Sequence, residues 1–311
     1  MKRRTFIATT SLFTAGLPFA QATHHKRKFT VDLTPGAIGV NARGVDLVRL
    51  AAKHGYESIQ PNPGKLLSLN KGQREEFVAL MKMENLRWGA AGLPVDFRQS
   101  QEKFDGGMKS LPKQAAALRD AGVTRVGTWL RPSHNELTYL ANFKQHATRL
   151  REVTKVLADH GLRFGLEYVG TWNNWTRDKH PFIHSMAETK ELIAEVNQLT
   201  LGFVLDSWHW FTADETTKDL LTLKNQDIVA CDLNDAPKGL ALKEQIDNQR
   251  ELPAATGVIK IAPFLKTLAQ IGYDGPVRAE PFNQPLRKLD DDPATKATAD
   301  AIRKAIKTAG L

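Results

Sequence analysis

Apolar and polar positions recur along this chain as one unit: a stripe at helical spacing, a glycine, then a short unbroken apolar run. The unit appears as AAKHGYESIQP, ALRDAGVTRVGTWL, VLADHGLRFGLEYV and LAQIGYDGPVRAEP. Helical spacing is clearest at Phe143, Ala147, Leu150, Val153 and Leu157. Gly55, Gly122, Gly161 and Gly272 stand where each helix ends, so left-handed backbone is expected there. Continuous apolar runs are the mark of strands buried on both faces, as in parallel sheets. The pattern predicts strands near Ala37–Val40, Glu57–Gln60, Arg87–Ala91, Arg125–Leu130, Arg163–Tyr168, Phe203–Asp206, Asp227–Leu233 and Val277–Glu280, with helices between them and a last helix near Ala294–Thr308. Eight alternations of this kind predict an α/β fold, a single closed (β/α)8 TIM barrel. A doubly wound open sheet is the runner-up, but no GxGxxG follows the first predicted strand.

The strand ends bring in chemistry. Ligands of parallel sheets and barrels gather beyond the carboxyl ends of their strands. Strand five ends in Leu166-Glu167-Tyr168, six in Leu205-Asp206, seven in Cys231-Asp232-Leu233, and eight in Ala279-Glu280-Pro281. Taken singly, each acid is as well read as a helix cap or an ion-pair partner. Taken together, four unpaired carboxylates at one rim would raise one another's pKa, and a divalent cation resolves that conflict. All-oxygen ligation favours magnesium, manganese or calcium over zinc.

Composition narrows the class without choosing the chemistry. Apolar content of 41% and charged content of 25% are those of an ordinary globular protein. The formal charge is +9, of which Lys2, Arg3 and Arg4 belong to the leader described next. The remaining excess is spread along the chain, and no helix-turn-helix or RNA-binding signature accompanies it, so a nucleic-acid partner is not expected. The lone cysteine, Cys231, excludes an internal disulfide framework and reads as a small buried hydrophobe. Residues 1–22 are basic, then mildly apolar, and end in Ala20-Gln21-Ala22, a cleavage pattern. Arg3-Arg4 followed by Phe6 and Ile7 resembles a twin-arginine export signal, with an ordinary secretory signal or an uncut leader as alternatives. The apolar part is too short for a span, and no cysteine follows for a lipid anchor. The expected organisation is a signal peptide at 1–22, a polar segment at 23–34 and the barrel at 35–311. Cleavage after Ala22 would deliver the protein to the periplasm through the twin-arginine machinery.

GLEYVG, VLDSWHW, LNDAP, IDNQRELPAATGVI, IGYDGPV and AEPF, in this order, together with PGAIGV and GLPVDFR, resemble the sugar phosphate isomerase/epimerase superfamily of xylose isomerase-like barrels. The resemblance runs from about Pro35 to Phe282. It implies ketose 3-epimerase, hydroxypyruvate isomerase or inosose dehydratase relatives, one divalent cation (manganese or magnesium), and a small carbohydrate substrate. By matching position it implies Glu167, Asp206, the residue at 232 and Glu280 as metal ligands, and His209 and Arg250 as substrate contacts. The chain departs at 232, where relatives usually carry His in a VHxND context and this one reads CDLND.

The resemblance to the ketose 3-epimerases also assigns Glu167 and Glu280 to proton transfer at a carbon next to a carbonyl, through an enediolate. Trp129 and Trp172, at or just after strand ends, are candidates to stack on a sugar, with core packing equally open. Trp208 is read the same way. Gln60 and Asn234 are candidate hydroxyl contacts, with backbone capping as the alternative for both. A lyase that expels a β-hydroxyl or glycosyl group from the same anion is the rival activity. An exported sugar-binding protein without turnover is the rival outside enzymes. A homo-oligomer is compatible with every one of these readings.

Overall fold

The computed structural model describes residues 26–311, so the leader expected at 1–22 and its cleavage after Ala22 lie outside the described residues. Among those residues, eight parallel strands build the barrel: β1 Thr30–Leu33, β2 Ser58–Ile59, β3 in two pieces (Arg87–Trp88 and Ala91–Gly92), β4 Arg125–Trp129, β5 Arg163–Glu167, β6 Leu201–Asp206, β7 Ile228–Leu233 and β8 Pro276–Ala279. Each strand pairs with the next, β8 pairs with β1, and the two pieces of β3 pair with β2 and β4 respectively. The sheet therefore comes round on itself. Outside it lie α1 Gly44–Lys53, α2 Lys71–Met83, α3 Gln101–Asp120, α4 Tyr139–Asp159, α5 Met186–Val196, the short α6 Thr217–Leu220, α7 Ile261–Ile271 and α8 Asp291–Thr308.

The local signals explain most of this. Ala147, Leu150, Val153 and Leu157 form the buried stripe of α4, and Phe143 packs against the same core. Gly55, Gly122, Gly161 and Gly272 all adopt positive φ, which closes their helices and turns the chain into the next strand. Between β6 and β7, where a helix is expected, the chain holds two short ones, Ser207–Thr212 and the single turn of α6.

The first strand is the clear correction. It is Thr30–Leu33, inside the segment expected to be a polar lead-in, and not Ala37–Val40. Phe29, Val31 and Leu33 alternate with polar residues and are buried, a period-two signal that outweighs the basic run before it. Pro35–Ile38 instead forms a 3-10 turn closed by Gly39 in left-handed backbone. Proline at the start and glycine at the end of PGAIGV favour that turn over a strand.

Alternation along the strands sorts the barrel interior into layers. Ala90, Val204 and Ala230 form a small buried cluster of their own. Gly127 and Gly165 leave room for Val204: a Cβ on either would lie 2.8–3.0 Å from its Cγ2. Two residues further along the same strands come Trp129, Glu167, Asp206 and Asp232, with Arg278 facing Asp232 in register. The apolar layer is a floor, and the layer above it is polar.

Candidate active site

Above that floor opens a cavity of about 370 Å³, within the range of ordinary ligand pockets. Glu167, from the end of β5, and Glu280, just past β8, both face it, together with His209, Asp247 and Arg250. Asp206 and Asp232 are register partners at the ends of β6 and β7, fully buried behind this lining. Ligand atoms of Glu167, Asp232 and Glu280 lie within 4.8 Å of one another, as do those of Glu167, Asp206 and His209. The strand-end acids thus converge as their positions predict.

They are not four unpaired acids, however. Asp206 caps the Ser207–Thr212 helix through Trp208 N at 2.7 Å, accepts from Asn234 Nδ2 at 2.9 Å, and meets Arg250 Nη1 at 2.7 Å. Arg250 also donates to Asp247 Oδ1 at 2.6 Å and lies 3.6 Å from Glu280 Oε2. His209 receives the Gly170 amide at Nδ1, and its Nε2 lies 3.2 Å from Arg250 Nη2, with Asp206 and Asp247 further off at 3.9 and 3.7 Å. Asp232 is clasped at both oxygens by its register partner Arg278, with Nε 2.6 Å from Oδ1 and Nη2 2.9 Å from Oδ2. The expectation of four uncompensated carboxylates is corrected here: two guanidiniums stand among them.

Even so, the balance stays negative. Glu167, Asp206, Asp232, Asp247 and Glu280 have Arg250 and Arg278 among them, while Arg131 and Arg177, which also line the cavity, are paired with Asp178. Burial, then the neighbouring Glu280, Asp206 and Asp232, hold Glu167 well above the usual carboxylate range. Burial and Asp232 push Glu280 up to about 8. Burial raises Asp206 to about 6, with Arg250 opposing it. Desolvation lowers His209 to about 3, so it is neutral. Burial would raise Asp247 as well, but Arg250 and His209 hold it below the ordinary value.

Of the other expected contacts, Trp129 lines the cavity and is the register partner of Glu167. Asn234 is a strut: its amide nitrogen serves Asp206 and its oxygen accepts the Glu280 amide at 3.2 Å, so capping wins over substrate contact. Gln60 lies elsewhere, in a second cavity beside Phe77 and Trp88. Trp172 is absent from the cavity lining and is covered by Lys243, 4.0 Å from its ring centre. Trp208 is fully buried core, tied to Thr171. The sequence reading missed Asp247, Arg278 and Asn174, which donates to Asp247 at 2.9 Å. Asp247 and Arg250 sit three apart in DNQR, a spacing that marks an acid–base pair; Arg278 shows only as a charge inside the apolar run PVRA.

A divalent cation fits this donor set. Glu167 Oε1 is buried without a hydrogen-bond partner, an unusual and costly condition for a carboxylate oxygen. It belongs to both groups of converging ligand atoms, and the surplus of acids over arginines favours a cation there.

Comparison with known proteins agrees with this architecture. The family profile described as Xylose isomerase-like TIM barrel matches residues 48–307. Over 161 residues the chain is 27% identical to a 3-dehydroshikimate dehydratase of Pseudomonas aeruginosa, covering 51% of this chain and 24% of that protein. It is 25% identical over 161 residues to an inosose isomerase of Bacillus subtilis, covering 50% of this chain and 54% of that one. The matched region thus spans about a quarter of the first relative and about half of the second. A xylose isomerase domain protein from Alicyclobacillus acidocaldarius superposes with a TM-score of 0.79 at 28% identity, over 91% of this chain and 100% of that chain. The IOLI protein, solved with a bound zinc atom, gives 0.72 at 18% identity over 89% and 97%. A D-psicose 3-epimerase from Clostridium cellulolyticum, solved with D-tagatose, gives 0.65 at 16% over 85% and 92%.

Proposed function

The chain belongs to the xylose isomerase-like TIM barrel family, and from that premise we propose that it is a sugar isomerase or epimerase that moves a proton at a carbon next to a carbonyl. The observation that carries this reading is the pair Glu167 and Glu280. Both face one cavity from different strands, both are held above the usual carboxylate range, and their ligand atoms lie within 4.8 Å. Two carboxyls that face one cavity from different strands can divide a proton transfer, one as base and the other as acid. The ionised member removes the carbon-bound proton, and the protonated member returns one to the other face or the adjacent carbon.

Glu167, Asp206, Asp232 and Glu280 would hold the divalent cation, manganese or magnesium, with His209 beside it; when bound, it supplies Lewis-acid polarisation of the substrate carbonyl. Arg250 presents a guanidinium already oriented by Asp206 and Asp247, with the His209 ring beside it, to oxygens of the sugar. Asp247 and Asn174 keep that guanidinium in place. Trp129 forms the apolar wall of the same pocket.

A second reading, a lyase, is favoured by the dehydratase among the relatives. There the same proton is removed, and the electron pair expels a leaving group from the β-carbon. Product analysis separates the two: an isomer of unchanged mass supports the first, and a loss of water or of a glycosyl group the second. The Arg3-Arg4 leader supports export to the periplasm by the twin-arginine machinery, after which the enzyme would meet unphosphorylated sugars. Among the described residues no helix is long and apolar enough to cross a membrane.

A further inference from the structure

The reacting pocket does not end at Trp129. On the far side of that residue lies a second, larger cleft of about 820 Å³, and Trp129 and Arg131 line both spaces. Its walls come from the loop before α3, the end of β4 and the outer face of α4. Ser133–His134 pairs with His180–Pro181 as a small antiparallel ribbon that shapes the rim where the two spaces meet.

Trp129 is 45% exposed, a large apolar surface to leave in water at the mouth of a site. It is also held still. Arg98 lies 4.3 Å from the indole centre, donates to the Trp129 carbonyl at 3.1 Å, and is itself fixed by Asp96 Oδ1 at 3.1 Å. One side of the ring is therefore braced by a clamped cation, and the exposed remainder is a pre-oriented platform. Around it stand the amides of Asn135 and Gln145 and the carboxylate of Glu136, hydrogen-bonding groups suited to hydroxyls; the Gln99 amide is already tied to Asp96 and Lys103.

The charges speak against an anionic occupant. Each arginine lining the cleft is already engaged: Arg98 with Asp96, Arg131 with Asp178 Oδ2 at 3.0 Å, and Arg149 with the carbonyls of Phe97 and Gln99 at 2.8 and 2.7 Å. A phosphate or carboxylate would have to draw one of them away from its present partner. A neutral polyol needs no such exchange, because its ring carbons cover the indole while its hydroxyls reach the amides.

We propose that this cleft is a subsite for a second sugar unit, so that the substrate is a glycoside of at least two rings. One ring lies against Glu167 and Glu280, and the other rests on Trp129. The assignment of the first ring rests on the isomerase or lyase reading above; the subsite itself does not. It also gives the lyase reading a concrete leaving group, since a glycosyl unit expelled from the reacting ring would already be seated.

Isothermal titration calorimetry of the full chain with glucose, cellobiose, maltose and sucrose tests this without requiring turnover. At least one two-ring sugar is expected to bind about ten-fold or more tightly than glucose. Leu137→Trp, which fills the cleft from its rim, is expected to erase that advantage while leaving the glucose Kd within about two-fold. Gln145→Ala, a milder change, is expected to reduce the advantage without filling anything. No preference for any two-ring sugar, including no binding at all, overturns the subsite, as does a preference unchanged in both variants. Solvent-proton exchange at a keto-sugar tests the catalytic reading separately. Preference without exchange sinks that reading and leaves the subsite; exchange without preference does the reverse.

Discussion

Asp206 and Asp232 face each other across adjacent strands, both buried and both clasped by an arginine, yet the two arginines keep different company. Arg250 divides its donors among Asp206, Asp247 and the Glu280 carbonyl, and it lines the open cavity. Arg278 gives two side-chain hydrogen bonds to Asp232, its own register partner, and does not line the cavity. The first corner is a positioning device turned toward substrate. The second is a pair that neutralises an acid in the barrel wall. Neither pairing closes its acid to a cation: Asp206 carries three hydrogen bonds and Asp232 two, and ligand atoms of both converge with Glu167, whose buried Oε1 lacks any partner.

This contrast can be broken in several ways. The largest effect is expected from Glu167→Gln and Glu280→Gln, each lowering turnover by about 10²–10⁴-fold with an unchanged circular dichroism spectrum. Turnover retained in either variant breaks the acid–base pair. Next come the arginines. Arg278→Met strands Asp232 and should cost about 3–5 kcal/mol in urea unfolding, whereas Asp232→Asn with Arg278→Met should recover most of it. The double variant and Asp206→Asn should each weaken manganese binding about 10–100-fold. Unchanged manganese binding in either would take that acid out of the ligand set.

A third test uses pH. Glu280, at about 8, and Glu167, also raised, keep protons in the folded metal-free protein that the unfolded chain releases in the ordinary carboxylate range. The stability they contribute is complete below that range and is lost as pH rises toward 8, by up to about 1.4 kcal/mol per unit for each group. Thermal melts of chelator-treated protein should therefore fall between pH 5 and 8, and manganese should flatten the curve. A melt that rises over that interval contradicts the site's electrostatics. The smallest effects belong to Gln60→Ala and Trp172→Ala, each expected to stay within about three-fold in kcat/KM because both side chains lie outside the reacting cavity. A larger loss at either would extend the site beyond its present walls.

The barrel was legible because its signals are local. Helical stripes, C-terminal glycines and short apolar runs each report on a few neighbouring residues, and Gly55, Gly122, Gly161 and Gly272 behave as their positions predict. The first strand was not, because its Phe29-Val31-Leu33 alternation is short and follows a basic run, while PGAIGV is more apolar but bent by its proline and glycine. Convergence of Glu167, Asp206, Asp232 and Glu280 followed from strand order alone. What no strand pattern conveys is which lone pairs are already taken: Arg278 reaches Asp232 from 46 positions away, and Arg250 reaches Asp206 from 44. Gln60 and Trp172 share the carboxyl-end rim with the acids but not the cavity, a distinction that depends on loop paths.

The most direct test of the account is proton NMR of the manganese-loaded protein in D₂O with a panel of ketoses, aldoses and keto-glycosides. The account predicts loss of one carbon-bound proton signal next to the carbonyl, abolished by chelator and by Glu167→Gln or Glu280→Gln. Tight sugar binding with every carbon-bound proton retained would contradict it and leave a sugar-binding barrel in its place.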